Sequence, residues 1–118
     1  MSKFKFEKLL IWHKAMDLGE EVNILIDNFP KKEYYNLSSQ LLRAIDSVAL
    51  NNSEGSIGQS NPEQNRFLGY SIRSLAEVVT CLHKALRRKY ISEEQLQIHY
   101  NESFHLMNMM IAFKRNLK

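Results

Sequence analysis

Gln40-Leu41-Leu42-Arg43-Ala44-Ile45-Asp46-Ser47-Val48-Ala49-Leu50-Asn51-Asn52-Ser53-Glu54 is the stretch that decides the fold. Within it Gln40, Arg43, Ser47, Asn51 and Glu54 recur at steps of three, four, four and three. At about 100° per residue they fall in a sector of about 80° on an α-helix. Leu37, Leu41, Ala44, Ile45 and Val48 fill the adjoining sector. The pattern is an amphipathic helix with a polar seam at the edge of its buried face.

The flanking segments keep the same period. Ile11, Ala15, Leu18, Val22, Leu25 and Phe29 form a heptad seam widened by Trp12, Met16 and Ile26, which predicts a helix over 9–28. Phe29-Pro30 ends it, because proline disfavours helical geometry in the residue before it and lacks a backbone donor. A second helix is predicted over 32–57, closed by Gly58-Gln59-Ser60-Asn61-Pro62. Asn61 is the expected N-cap of the third, with Pro62 in its first position and Gln64 at capping-box spacing. That helix, 62–88, carries the seam Leu68, Ile72, Leu75, Val79, Leu82 and Leu86 and ends in Arg87-Arg88-Lys89, where cations suit the helix dipole. Ser92 with Gln95 caps a fourth helix, 92–117, bearing Leu106, Met110, Phe113 and Leu117 beside Tyr100, Phe104, Met107 and Ile111. Sustained period-two alternation is nowhere present. Short loops leave successive helices antiparallel, so the expected fold is an all-α, up-down-up-down four-helix bundle in a single domain, 1–118.

Composition agrees. With 118 residues, 44% apolar and 25% charged, the chain is long enough for one independent core. Four glycines and two prolines suit long uninterrupted helices. The lone Cys81 cannot form an intrachain disulfide, the first eight residues lack a signal peptide's apolar run, and no stretch approaches the roughly 20 apolar residues of a membrane span. A cytoplasmic protein without membrane contact is expected. A net charge of +3 and a pI near 9.0 permit an acidic partner without requiring one.

Apolar surface exceeds what one bundle face needs. The third helix has a second flank, Phe67, Val78, Cys81 and Ala85, and on the second Leu42, Ala49 and Leu50 point away from the main sector. Such clustering predicts self-association, with Leu42, Ala49, Leu50, Phe67 and Val78 as the interface; the alternative is ordinary scattered surface leucines.

No reaction centre is evident. His13, His83, His99 and His105 contain no pair at i, i+4 and no cysteine cluster accompanies them, so no metal is expected and surface or boundary roles are favoured. Cys81 lies on the apolar flank as a packed thiol. Gly55 and Gly58 lack the strand and Lys-Ser/Thr of a phosphate loop, and a helix break accounts for them; no cofactor is called for. Arg43 and Glu54 are roughly 16 Å apart along one helix and cannot meet there. If the second and third helices are antiparallel about Ser60, level residues sum to about 120, which puts Arg43 level with Glu77 and Glu54 level with Arg66. Gln40, Arg43, Ser47, Asn51, Glu54 and Glu77 are therefore expected to form a structural polar seam that sets register or assembly.

Alternation also sorts the cations. Lys31, Lys32, Lys84, Arg87, Arg88 and Lys89 gather at one end, and Lys3, Lys5, Lys8, Lys114, Arg115 and Lys118 at the other. Either patch could hold nucleic acid through phosphates, the alternative being a solvated helix end. Tyr90 beside Arg88 and Lys89 suits stacking on an unpaired base, or closing the turn between helices three and four.

In full the stripe's setting is Trp12, Phe29-Pro30, Glu33, Tyr35, Leu37, Gln40, Arg43-Ala44, Ser47, Asn51, Glu54-Gly55, then Phe67-Leu68, Ser74-Leu75 and Glu77. Over about residues 6–117 this resembles the bacterial four-helix-bundle family of 23S rRNA intervening sequences. The resemblance implies a small cytoplasmic bundle that assembles as a homopentameric ring and has no established enzymatic activity. A related branch comprises accessory proteins of diversity-generating retroelements, which bind nucleic acid and a reverse transcriptase. The chain departs from the family pattern where Asn51-Asn52-Ser53-Glu54-Gly55 replaces Asn-Ile-Ala-Glu-Gly, where Ala49 lies near a usual proline, and where Arg73 replaces a glycine. The expected function is a non-enzymatic oligomeric bundle binding RNA or DNA through Lys84, Arg87, Arg88, Lys89, Lys31 and Lys32. The alternative is a protein-interaction scaffold, such as an accessory subunit of a reverse transcriptase, that does not itself bind nucleic acid.

Overall fold

In the computed structural model, residues 2–117 are described; Lys118, assigned above to a basic end, lies outside them. Four helices make up the fold: α1 (Leu10–Ile26), α2 (Leu37–Ser56), α3 (Asn61–Arg87) and α4 (Glu93–Arg115). Short 3-10 turns precede α1 at Lys5–Lys8 and α2 at Lys31–Glu33. No strand occurs among the described residues. Each helix packs on its sequence neighbours and α4 closes back on α1, with no close backbone approach across either diagonal, so the bundle is four-sided, 44 × 23 × 23 Å. No described helix is long and apolar enough to cross a membrane.

The seams meet in one core. Ile11, Ala15, Leu18, Val22 and Leu25 of α1 face Leu41, Ile45 and Val48 of α2 and Leu68, Leu75 and Leu82 of α3, all buried. Val78, Cys81 and Ala85 are also in the core, Val78 at 0% exposure, and Ala49 is buried as well. This corrects the assignment of Val78 and Ala49 to a subunit interface. Burying a valine is worth about 1.5–3 kcal/mol, and here that gain is made within the chain. The reason is the width of α3's inner face, which serves α2 on one side and α4 on the other. Leu42 and Leu50 stay exposed and Phe67 is half-buried.

The inner face of α4 also differs from expectation. Its buried positions are His99, Ser103, Leu106 and Met110, while Tyr100 and Phe104 are exposed. Polar residues at heptad spacing therefore continue the seam toward the N-terminus of α4, where an apolar pattern could not reveal it.

α1 and α4 end two residues earlier than expected, at Ile26 and Arg115, and the starts of α2 and α3 differ as well. α2 begins at Leu37, not near Lys32, because Glu33 is buried and its Oε1 accepts from the Leu37 N–H (3.3 Å) and from Asn36 Nδ2 (3.2 Å). The carboxylate caps the helix from outside it, which halts propagation further back. The N-cap of α3 is Ser60, whose Oγ accepts from the Glu63 N–H at 3.2 Å, one residue before the Asn61 expected from sequence; Gln64 is buried instead of capping. At α4 the Ser92–Gln95 capping box forms as the spacing predicts. The α3 C-terminus closes by a Schellman arrangement in which Tyr90 N–H donates to Ala85 O and Lys89 N–H to Leu86 O, both 2.9 Å. Lys89 takes the left-handed position, φ 66°, that this motif usually gives to glycine.

Candidate functional site

The polar seam resolves into a hydrogen-bonded ladder between α2 and α3. Asn51 Nδ2 donates to Ser47 O (2.8 Å) and Oγ (2.9 Å), and Ser47 Oγ lies 2.7 Å from Ser74 Oγ. Because Ser74 gives its proton to Tyr70 O (3.0 Å), the donor in the Ser47–Ser74 pair is Ser47. One turn deeper, Ser71 Oγ lies 2.9 Å from Val48 O and 3.0 Å from Asn52 Oδ1, with Asn52 only 2% exposed. The level pairs 47/74 and 48/71 sum to 121 and 119, so the antiparallel register about residue 60 holds. The expected ion pairs do not form. Among the described residues neither Arg43–Glu77 nor Glu54–Arg66 comes within 4 Å, and all four side chains are exposed. The height was right and the azimuth wrong: these residues flank the ladder on its solvent side. Arg66 instead stacks on Phe67, 5.5 Å from the ring centre.

Gly55, the end of the sequence signature, has a packing role. A Cβ there would lie 2.9 Å from Phe67 Cβ and 3.3 Å from Gln64 O, so only glycine lets α3 come this close. A helix break alone does not account for it, since α2 runs on to Ser56.

Phe29–Pro30 and the end of α3 meet at one basic end of the bundle. There Glu33 is the organising group. Its Oε2 accepts from Tyr90 Oη (2.6 Å) and Arg88 Nη1 (3.0 Å), while Phe29 and Tyr90 pack ring on ring at 5.4 Å. The Tyr90 hydrogen bond above all, helped by the Leu37 N–H and the Arg88 charge, holds the Glu33 carboxyl below its usual range against the opposing effect of burial. Tyr90 is pushed up by the same bond. Two expectations change as a result: Tyr90 closes the turn and is not free for a base, and Arg88 is committed to an internal ion pair. Lys31, Lys32, Lys84, Arg87 and Lys89 remain exposed without an ion-pair partner among the described residues. Asp27, Glu93 and Glu94 share this end, so its field is modestly positive.

Tyr34 and Tyr35 stand beside Lys31 and Lys32, in edge contact at 4.8 Å, with Tyr35 91% exposed. The sequence pattern used Tyr35 only as part of the family resemblance and left Tyr34 aside; an aromatic pair one residue after a lysine pair was the available signal. They border a groove of about 460 Å³ that runs from Ile26 and Phe29 to Leu42. A second groove of about 400 Å³ lies between α1 and α2, lined by Trp12, Met16, Ala49 and Leu50 among others.

Cys81 is buried, and burial foremost, with Glu77 nearby, pushes its thiol up and away from reactivity. His13, His83 and His105 are exposed. His99 is buried, its Nδ1 3.1 Å from Glu102 Oε1 and 3.6 Å from Glu21 Oε1. Glu21 is pushed up to about 7, first by burial, then by hydrogen bonding to and the charge of Glu102, then by Asp17.

No curated protein sequence matches the chain. Among solved structures, a protein of unknown function from the S23 ribosomal protein family of Bacteroides thetaiotaomicron is similar, with a TM-score of 0.84 over 91% of this chain and 96% of that one, at 20% identity. At that identity the likeness is one of fold. The sequence pattern of the family described as 23S rRNA-intervening sequence protein matches residues 7–112, which take in α1 to α3, most of α4, the Ser47–Asn51 ladder and the Glu33 cap, and the chain belongs to that family.

Proposed function

We propose that the protein is a non-enzymatic oligomeric bundle that binds single-stranded or looped RNA through the end formed by the α1–α2 and α3–α4 connections. The observation that carries this reading is the set of exposed cations there, Lys31, Lys32, Lys84, Arg87 and Lys89, which make no ion pair among the described residues. Unpaired lysines and arginines release counterions when they meet phosphates, which gives affinity without sequence reading. Exposed Tyr35 and Tyr34 add faces on which unpaired bases stack, a contribution of about 1–3 kcal/mol per base. Family membership, by its name tied to insertions in 23S rRNA, favours RNA as the first ligand to test. Arg88 is excluded from the contact set because Glu33 holds it.

Assembly into a ring is part of the same proposal. A single chain's modest positive field becomes a continuous cationic rim when copies are arranged about an axis. Support comes from Leu42 and Leu50, exposed on α2, and from the two grooves beside them. A homopentamer is the state expected. The same apolar grooves favour a second reading, a scaffold for a protein partner such as a reverse transcriptase, with the cations serving solubility alone.

The readings separate in one set of titrations. A hairpin RNA and a duplex DNA are titrated with purified protein at about 50 and 200 mM salt. Binding of the hairpin at low salt, weakened in a Lys84→Gln/Arg87→Gln/Lys89→Gln variant and in Tyr35→Ala, supports the first reading. Absence of binding at low salt, or indifference to those changes, rejects it in favour of the scaffold. Solution mass by light scattering tests assembly independently, and a monomer in wild type would remove the ring.

A further inference from the structure

We propose that Glu21, His99 and Glu102 form a divalent-cation site, best suited to Zn²⁺, that links the first and last helices of the bundle. One ligand atom from each of the three side chains lies within 4.8 Å of the others. Nδ1 of His99 is 3.1 Å from Glu102 Oε1 and 3.6 Å from Glu21 Oε1. Two ligands bound tetrahedrally at about 2.0–2.1 Å from zinc stand about 3.3–3.4 Å apart, midway between the two His99 separations, so each of those pairs fits an ion with shifts of a few tenths of an ångström, and the two carboxylates, within 4.8 Å of each other, close on it from either helix.

The scaffold is rigid where the site needs it to be. His99 and Glu102, at i, i+3, present their ligand atoms on one face of α4, and Glu21 adjoins the core seam of α1 between Leu18 and Val22. His99 is 9% exposed and occupies a heptad position whose later members are Leu106 and Met110, an inner position that a bundle ordinarily gives to an apolar side chain. A buried imidazole aimed at two carboxylates of different helices is a donor set of borderline-soft nitrogen and hard oxygen, which suits Zn²⁺ better than Mg²⁺ or Ca²⁺. Glu21 and Glu102 themselves line a cleft of about 150 Å³ with Lys14, Asp17 and His105, which has room for a water as fourth ligand. Of these, Lys14 is the fixed cation facing the three carboxylates of Asp17, Glu21 and Glu102.

Calorimetric titration of the chelator-treated full chain with ZnCl₂, up to roughly 100 μM, tests the assignment. One Zn²⁺ per chain is expected, with a thermal midpoint that rises by roughly 10 °C when free zinc is a hundred times Kd. The Glu21→Gln/Glu102→Gln variant, altered at two partly exposed positions, is expected to keep the wild-type helical spectrum and lose affinity by at least about tenfold. His105→Asn is expected to bind as wild type does. No saturable binding, undiminished binding by the double glutamine variant, or loss of binding in His105→Asn would each overturn the site.

Discussion

Lys89→Gly should make the protein more stable, although it removes a charge and every side-chain contact at that position. Lys89 sits at φ 66° in the Schellman turn that ends α3. Left-handed geometry costs an L-residue about 1–2 kcal/mol that glycine does not incur. Against this, glycine has more conformational freedom to lose on folding, about 0.5–1 kcal/mol. The net expectation is a gain of about 0.5–1 kcal/mol, or about 2–4 °C in Tm for a chain of this length. Urea and thermal denaturation followed by far-UV circular dichroism measure it. Lys89→Ala is the control, since it removes the same charge and keeps the strained φ; it should be no more stable than wild type. A Lys89→Gly protein that is equal to or weaker than wild type would refute the backbone argument. Lys89→Ala matching Lys89→Gly would show that charge, not conformation, was responsible.

Gly55→Ala should act in the opposite sense to helix propensity. Alanine gains about 1 kcal/mol over glycine in a helix, but its Cβ would stand 2.9 Å from Phe67 Cβ, and overpacking of that kind costs about 1–3 kcal/mol. A net loss of about 1 kcal/mol by urea denaturation is expected; a gain would mean that α3 yields freely. The Glu33 cluster sets an acid limit on stability. Its folded carboxyl titrates below the usual 4.5, so its contribution is fully present above that pH and disappears as pH falls through the lowered value. The Tm difference between wild type and Glu33→Gln should therefore be constant near neutrality and shrink below about pH 4.5, and a difference that holds unchanged to pH 3 would contradict the assignment.

Most of the fold was legible because helical period is a local property. The seam of α1, the Phe29-Pro30 stop and the Ser92–Gln95 cap follow from spacing alone, and the level pairs 47/74 and 48/71 bear out the register drawn from the turn; of the α3 seam only Leu68, Leu75 and Leu82 are buried, and Ser71, Val78 and Ala85 take the inner positions expected of Ile72, Val79 and Leu86. What spacing could not supply was azimuth between helices. Val78 and Ala49 looked like surplus surface because the second neighbour that buries them is contributed by the bundle, not by their own helix. Arg43 and Glu77 were level but faced outward, and the hydroxyl of Ser74 took the position beside Ser47. The late start of α2 was hidden for a related reason: Glu33 caps it with partners at Tyr90 and Arg88, more than fifty residues away. His99 is the same case, since an i, i+4 rule applied to one helix cannot see Glu21 arriving from another.

The central claim concerns the basic end, and its most direct test is the salt dependence of hairpin RNA binding measured by fluorescence anisotropy. Each lost phosphate contact lowers the slope of log K against log salt by nearly one. Replacing Lys84, Arg87 and Lys89 with glutamine should reduce that slope by about 2–3, whereas replacing Lys3, Lys5 and Lys8 at the opposite end should leave it unchanged. An unchanged slope in the first variant, or an equal fall in the second, would contradict the account.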